Sequence, residues 1–185
     1  MKYLSVVIAY YKNPAALSLI IKALERQSYQ NFEIIIAEDD KKSDFDFLVN
    51  QNLKQKIKHV FQSEDTGFRK NAALNKALAI SEGTHLIFID GDCIPHHHFL
   101  KAYSGHLTDE NICFGRRVMI SPKLTSALYH TGDLGLLNFA TIFFLWLKKT
   151  EIFNLPSFNH SKTGIGHMGT QLGSSKKTSA GDKWF

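Results

Sequence analysis

Asp90 and Asp92 stand one residue apart at the end of the stretch Thr84–Pro95, THLIFIDGDCIP. Two carboxylates at this spacing suit a hard divalent cation, because Mg²⁺ and Mn²⁺ take carboxylate oxygens together with the phosphate oxygens of a substrate. The blander alternative is turn formation, which Asp and Gly both favour. A third carboxylate, Asp39, follows another apolar run, FEIIIA at Phe32–Ala37. A carboxylate there can accept hydrogen bonds from a nucleobase imide or a ribose. Tyr10 and Tyr11 follow a third run and offer a stacking or packing surface, with core packing the simpler role for one of them. Arg69 and Lys70 precede a helical stretch and bring positive charge suited to phosphate, or else form a solvated face. Taken as one site, these groups would hold a nucleoside diphosphate, with Asp90 on the ribose and Asp92 on a metal against the phosphates.

Such a site requires strands that end along a common edge. Leu86–Ile89 is β-branched and aromatic, is bounded by Gly83 and Gly91, and reads as a buried strand of a parallel sheet. In open α/β sheets ligands bind outside the carboxyl ends of the strands. The preceding chain alternates accordingly. Leu4–Tyr10 reads as a strand, and Asn13 then Pro14 read as a helix cap and first turn ahead of Leu17, Ile20, Ile21 and Leu24. Phe32–Ala37 is a second strand, Phe45–Leu53 a short helix and Ile57–Phe61 a weaker strand. Asn71–Ser81 is a helix with Ala73, Ala77 and Ile80 on one face. The alternation implies an α/β protein with a mostly parallel central sheet and helices on both faces. His97–Leu107 reads as a further helix and Ile112–Ile120 as a further strand. Residues 1–120 thus form the core, and 121–185 a poorly patterned region, with loop or partial disorder expected over Ser157–Phe185.

At 185 residues the chain fits one domain with a sizeable core. The formal charge of +5 favours an anionic partner, but the basic residues are scattered, so a phosphate-bearing small molecule or an anionic membrane surface suits it better than nucleic acid. Cys93 and Cys113 are too few for a disulfide framework and lack metal-ligand spacing, which points to a reducing, cytoplasmic compartment. The apolar start is followed by Lys12, Asn13 and Pro14 without a cleavage pattern, and reads as a strand rather than a signal peptide. Leu134–Leu147, LGLLNFATIFFLWL, ends in Lys148 and Lys149 and falls short of the ~20 apolar residues that span a bilayer. It reads as a buried helix, with peripheral membrane contact through 134–149 as the alternative. His96, His97 and His98 are adjacent on a helix start and point different ways, which suits surface display; His98 alone is placed to approach a metal.

In order and spacing, SVVIAYYKNPAAL, QSYQNFEIIIAEDD, GFRKNAALNKALAISEGTHLIFIDGDCIP and GRR make the chain resemble a family 2 glycosyltransferase of the GT-A fold over about Leu4–Ile120. The resemblance implies a three-layer α/β/α core and a nucleotide-sugar donor, a UDP-sugar first among them, bound across the strand tips. It further implies Mn²⁺ or Mg²⁺ on Asp92 and Asp90, inversion at the sugar, a saccharide or lipid-linked acceptor, and a role in cell-surface polysaccharide biosynthesis. By position, the donor-binding set is Ala9, Tyr10, Tyr11, Asp39, Arg69, Lys70, Asn75, Asp90 and Gly91. Glu38 stands where the family commonly carries the first of two aspartates, and Asp40 with Lys41 replaces the usual Gly-Ser. The acidic block that usually supplies the catalytic base after the GRR strand is missing. Asp133, Glu151 and Asp182 are the only carboxylates after Glu110, and none has its context. The base is therefore unassigned, and the chain reads as a truncated or divergent member.

Two other functions compete. A sugar-nucleotide nucleotidyltransferase calls for a Gly-rich, basic loop after the first strand; here that position reads AYYKNPAAL, without glycine. A non-catalytic donor-binding domain accommodates the missing base.

Overall fold

The computed structural model describes residues 1–41, 54–64 and 67–138, and the backbone of Asn159–Ser161 and Leu172–Ser175. Strand β1 is Leu4–Tyr10, helix α1 Pro14–Glu25, β2 Phe32–Glu38, β3 Ile57–Val60, α2 Lys70–Ile80 and β4 His85–Asp90. Then come α3 at Phe99–His106, β5 at Ile112–Phe114, α4 at Pro122–Thr131, a 3₁₀ turn at Leu134–Leu137, β6 at Asn159–Ser161 and β7 at Leu172–Ser175.

These strands form one sheet in the order β3-β2-β1-β4-β7-β5-β6. The half containing β3, β2, β1 and β4 is parallel, as the strand–helix alternation requires. The half beyond β4 is antiparallel. The period-2 alternation of each strand sends its side chains to two separate cores. On one face Val6, Ile8, Ile34, Ile36, Ile87 and Ile89 pack with Leu17, Ile20 and Leu24 of α1 and Leu100 and Tyr103 of α3. On the other, Val7, Ile35 and Ala37 pack with Ala73 and Ala77 of α2. Helices on both faces make the three layers expected. Small alanines let α2 lie close to the sheet.

Asn13 caps α1 by accepting from the Ala16 N–H at 3.1 Å, with Pro14 in the first turn, as its sequence predicts. At the opposite end of the strands, buried Glu33 is held by the Ser5 hydroxyl and the Glu82 N–H, both at 2.6 Å, and by the Lys58 ammonium at 2.7 Å. The same ammonium lies 2.8 Å from Glu82. This network ties β1, β2 and β3 to the loop that feeds β4.

Several expectations change. The strand expected over Ile112–Ile120 ends at Phe114, because its two neighbours pair only with Ile112–Phe114. The chain then leaves the sheet, and Arg116–Met119 are exposed. Within the stretch expected as loop, Asn159–Ser161 and Leu172–Ser175 are short strands, with β7 inserted between β4 and β5. Helix α4 carried no legible expectation. The helix expected at Phe45–Leu53 lies outside the described residues. Of the apolar segment, Leu134–Leu137 is a 3₁₀ turn with none of its residues buried, and the part from 139 onward lies outside the described residues. Among the described residues no helix is long and apolar enough to cross a membrane.

Candidate functional site

The strand register decides whether the acidic groups meet. Ala9 of β1 pairs with Ala37 of β2 on one side and with Asp90 of β4 on the other. Asp39 follows the last residue of β2 and donates its N–H to the Tyr10 carbonyl at 2.9 Å. Asp39 and Asp90 therefore share one rim, two strand spacings or about 10 Å apart across β1.

The start of α2 bridges that gap. The Asp39 carboxylate is buried and accepts the Arg69 N–H with both oxygens, at 3.0 and 2.8 Å. Arg69 is the N-cap residue of α2, so the acid lies at the positive end of the helix. One residue on, the Lys70 ammonium reaches Asp90 Oδ1 at 2.5 Å. Adjacent residues of one segment thus grip the carboxylates on either side of β1.

Asp90 also faces a second cation. Arg117, on the exposed chain after β5, places Nη1 4.0 Å from Asp90 Oδ2. Asp92 is exposed and is held from behind, where the Cys93 thiol donates to its Oδ1 at 3.4 Å. Burial, reinforced by the charges of Asp92 and Asp90, pushes the Cys93 thiol up to about 11. It stays protonated at neutral pH and serves as a donor.

Ligand atoms of Asp90, Asp92 and Cys93 lie within 4.8 Å of one another. The carboxylate oxygens among these atoms are the hard donors that fit Mg²⁺ or Mn²⁺. Gly91 between them is a packing requirement: a Cβ there would lie 2.5 Å from the Ala9 carbonyl oxygen. Only glycine lets the turn press against β1.

The remaining sequence-predicted residues divide. Tyr10 is 3% exposed and packs in the core beneath the site, whereas Tyr11 is 54% exposed with the Lys12 ammonium 4.8 Å over its ring. Of the two tyrosines, the accessible one is therefore Tyr11. Lys12 adopts a left-handed backbone (φ 43°) and pairs with Asp40 at 3.1 Å. Glu38 turns into the sheet face and meets His59 at 2.8 Å. Asn75 is exposed and lies two residues from both Ala73 and Ala77, whose side chains pack on the sheet. His96, His97 and His98 are exposed as expected. His98 is tied through Nδ1 to the Ser28 hydroxyl at 2.8 Å and does not join the Asp90–Asp92 cluster. Among the described residues, Asp133 is the carboxylate that remains after Glu110, and it caps its own turn by accepting the Gly135 N–H at 2.8 Å.

Sequence reasoning missed Arg117 and Cys93. Both were in view, one inside the GRR block and one beside Asp92. Their roles depend on the register of β4 and on how the chain leaves β5, which no local pattern encodes.

A parallel sheet half with helices on both faces, an antiparallel extension and acids gathered at the strand tips make up the GT-A fold. The chain belongs to glycosyl transferase family 2, whose model matches residues 5–168. Among solved structures, Staphylococcus aureus TarS 1-349 is similar at 19% identity and a TM-score of 0.50, over 64% of this chain and 39% of that one. The same TarS segment in complex with UDP-GlcNAc gives 20% identity and a TM-score of 0.46, over 57% and 30%. The mannosyltransferase PcManGT from Pyrobaculum calidifontis, in complex with GDP-Man and Mn²⁺, gives 17% and 0.44, over 51% and 28%. The chain thus spans at most 39% of the length of these relatives. A sequence search of curated proteins finds no match.

Proposed function

We propose that this chain binds a nucleotide-diphospho-sugar across the rim formed by Asp39, Asp90 and Asp92, and transfers the sugar with inversion to an acceptor hydroxyl. The observation that carries this reading is the common edge of the three carboxylates, bridged by the Arg69–Lys70 start of α2. Family membership supports the reaction class.

In this reading Asp39 accepts an imide N–H of the base, for which a uracil is the first candidate, while Tyr11 supplies the ring face beside it. Lys70 neutralises diphosphate charge and Asp90 anchors the ribose side. Asp92 and Asp90 would hold Mn²⁺ or Mg²⁺, which supplies Lewis-acid stabilisation to a leaving nucleoside diphosphate. The acceptor oxygen bonds to the anomeric carbon as the bond to the diphosphate breaks, and a base removes the acceptor proton. The base is unassigned. A saccharide or lipid-linked acceptor, peripheral membrane contact through 134–149 and a part in cell-surface polysaccharide synthesis at the inner face of the membrane complete the proposal.

One observation favours a second reading, a donor-binding domain without catalysis: Asp133 is engaged in its own turn. The nucleotidyltransferase reading has no such support, since the β1–α1 loop spends Asn13 on a helix cap and has no glycine.

Calorimetry with UDP and Mn²⁺ tests the site. Asp92→Ala is expected to abolish metal-dependent binding, and equal affinity in wild type and variant would remove the metal assignment. Slow hydrolysis of a UDP-sugar by the wild type separates a working transferase from the binding domain.

A further inference from the structure

We infer that Arg117 is a second diphosphate-binding residue, paired with Asp90 from a different element than Lys70; the inference rests on the donor-site reading above. Lys70 and Arg117 approach the two oxygens of one carboxylate from different elements, Oδ1 from the start of α2 and Oδ2 from the chain after β5. A carboxylate flanked this way leaves donors on both cations unspent, because a guanidinium carries five N–H groups and an ammonium three. The Arg117 side chain is 47% exposed, so a ligand at the strand tips can reach it. Its pairing with Asp90 sets its direction.

Charge gives the ligand class. Lys70 and Arg117 balance Asp90 and Asp92, so the four side chains together are neutral. A divalent ion brings the cluster to two positive charges, which matches the two negative charges of a diphosphate diester. The guanidinium fork suits a phosphate with two acceptor oxygens better than an ammonium does. Val118 and Met119, both exposed, continue the same loop.

The test is calorimetric titration of wild type, Arg117→Ala and Arg117→Lys with UDP and with uridine, each at saturating Mn²⁺. Arg117→Ala is expected to weaken UDP about 10- to 100-fold and leave uridine unchanged. Arg117→Lys should recover part of the loss, since charge remains but the fork does not. Equal UDP affinity in wild type and Arg117→Ala overturns the assignment while leaving the donor site standing, as does a parallel loss of uridine affinity. A wild type that binds neither UDP nor GDP overturns the donor-site reading itself, and this assignment with it.

Discussion

The Lys70 ammonium lies 2.5 Å from the Asp90 carboxylate, and so occupies an oxygen that a divalent cation would also use. Lys70 and the metal therefore compete for Asp90 until a diphosphate draws the ammonium away. Both side chains are about one-third exposed, which limits the pair through solvent screening. Lys70→Ala should bind Mn²⁺ alone about two- to fivefold more tightly than wild type. It should bind UDP with Mn²⁺ more weakly. Titrations of each ligand check both signs, and weaker Mn²⁺ binding in the variant would contradict the competition.

Asp39 has two tasks. Its carboxylate takes the Arg69 N–H with both oxygens and so fixes where α2 begins, one residue before Lys70. Asp39→Ala leaves that N–H without its acceptor and is expected to cost about 1–3 kcal/mol in urea unfolding, together with loss of UDP affinity. Asp39→Asn keeps an oxygen acceptor and should lose less of both. An alanine variant as stable as wild type would show that α2 is positioned by other contacts.

Much of this arrangement was legible in the residues alone. Buried parallel strands such as Phe32–Glu38 have no polar alternation to misread, and Asn13-Pro14 states a helix start in two residues. The acids of the rim followed from strand ends alone. Helix α4 was missed although Ser121-Pro122 repeats the same signature and Gly132 ends it in a left-handed conformation (φ 64°). Its face is weakly apolar, with only Leu128 buried, so periodicity gave no signal. The β6 and β7 strands were illegible for another reason: three- and four-residue segments such as Leu172–Ser175 are selected by pairing with β4 and β5, not by local preference.

Gly91 tests how tightly the metal-binding turn is built. A methyl group there would meet the Ala9 carbonyl oxygen at 2.5 Å, and that backbone is fixed by pairing on both sides of β1. Gly91→Ala is expected to destabilise by about 1–3 kcal/mol and to weaken Mn²⁺ binding by displacing Asp90 and Asp92. At Gly105, inside α3, an added Cβ would have no neighbour within 4 Å. Gly105→Ala should instead stabilise by about 0.5–1 kcal/mol, leaving Mn²⁺ affinity unchanged. Thermal and urea unfolding of the two variants, with Mn²⁺ titration, distinguish close packing from a general intolerance of added methyl groups.

Acid stability should depend on the far end of the sheet. Burial pushes the Glu33 carboxyl up, but hydrogen bonds from Lys58, Ser5 and the Glu82 N–H outweigh it and hold the group below its ordinary value. Hydrogen bonds from Lys56 and Lys58 bring Glu82 down to about 2. Both carboxyls titrate near 4.5 when unfolded, so the unfolded chain binds more protons below that pH. Their contribution is complete above about pH 4.5 and is lost as pH falls below it, for Glu82 toward about 2. Glu82 is half exposed, which leaves buried Glu33 as the stronger determinant. At pH 7, Glu33→Ala leaves the Ser5 hydroxyl and the Glu82 N–H without their buried acceptor, while Lys58 keeps Glu82 and the Ile80 carbonyl, and is expected to cost about 1–3 kcal/mol. Glu33→Gln keeps an acceptor for Ser5 and Glu82 but has no proton to gain, so its unfolding free energy should fall less steeply between pH 4.5 and 2 than that of the wild type. Urea unfolding at intervals across that range measures both slopes, and coincident slopes would show that acid lability arises elsewhere in the chain.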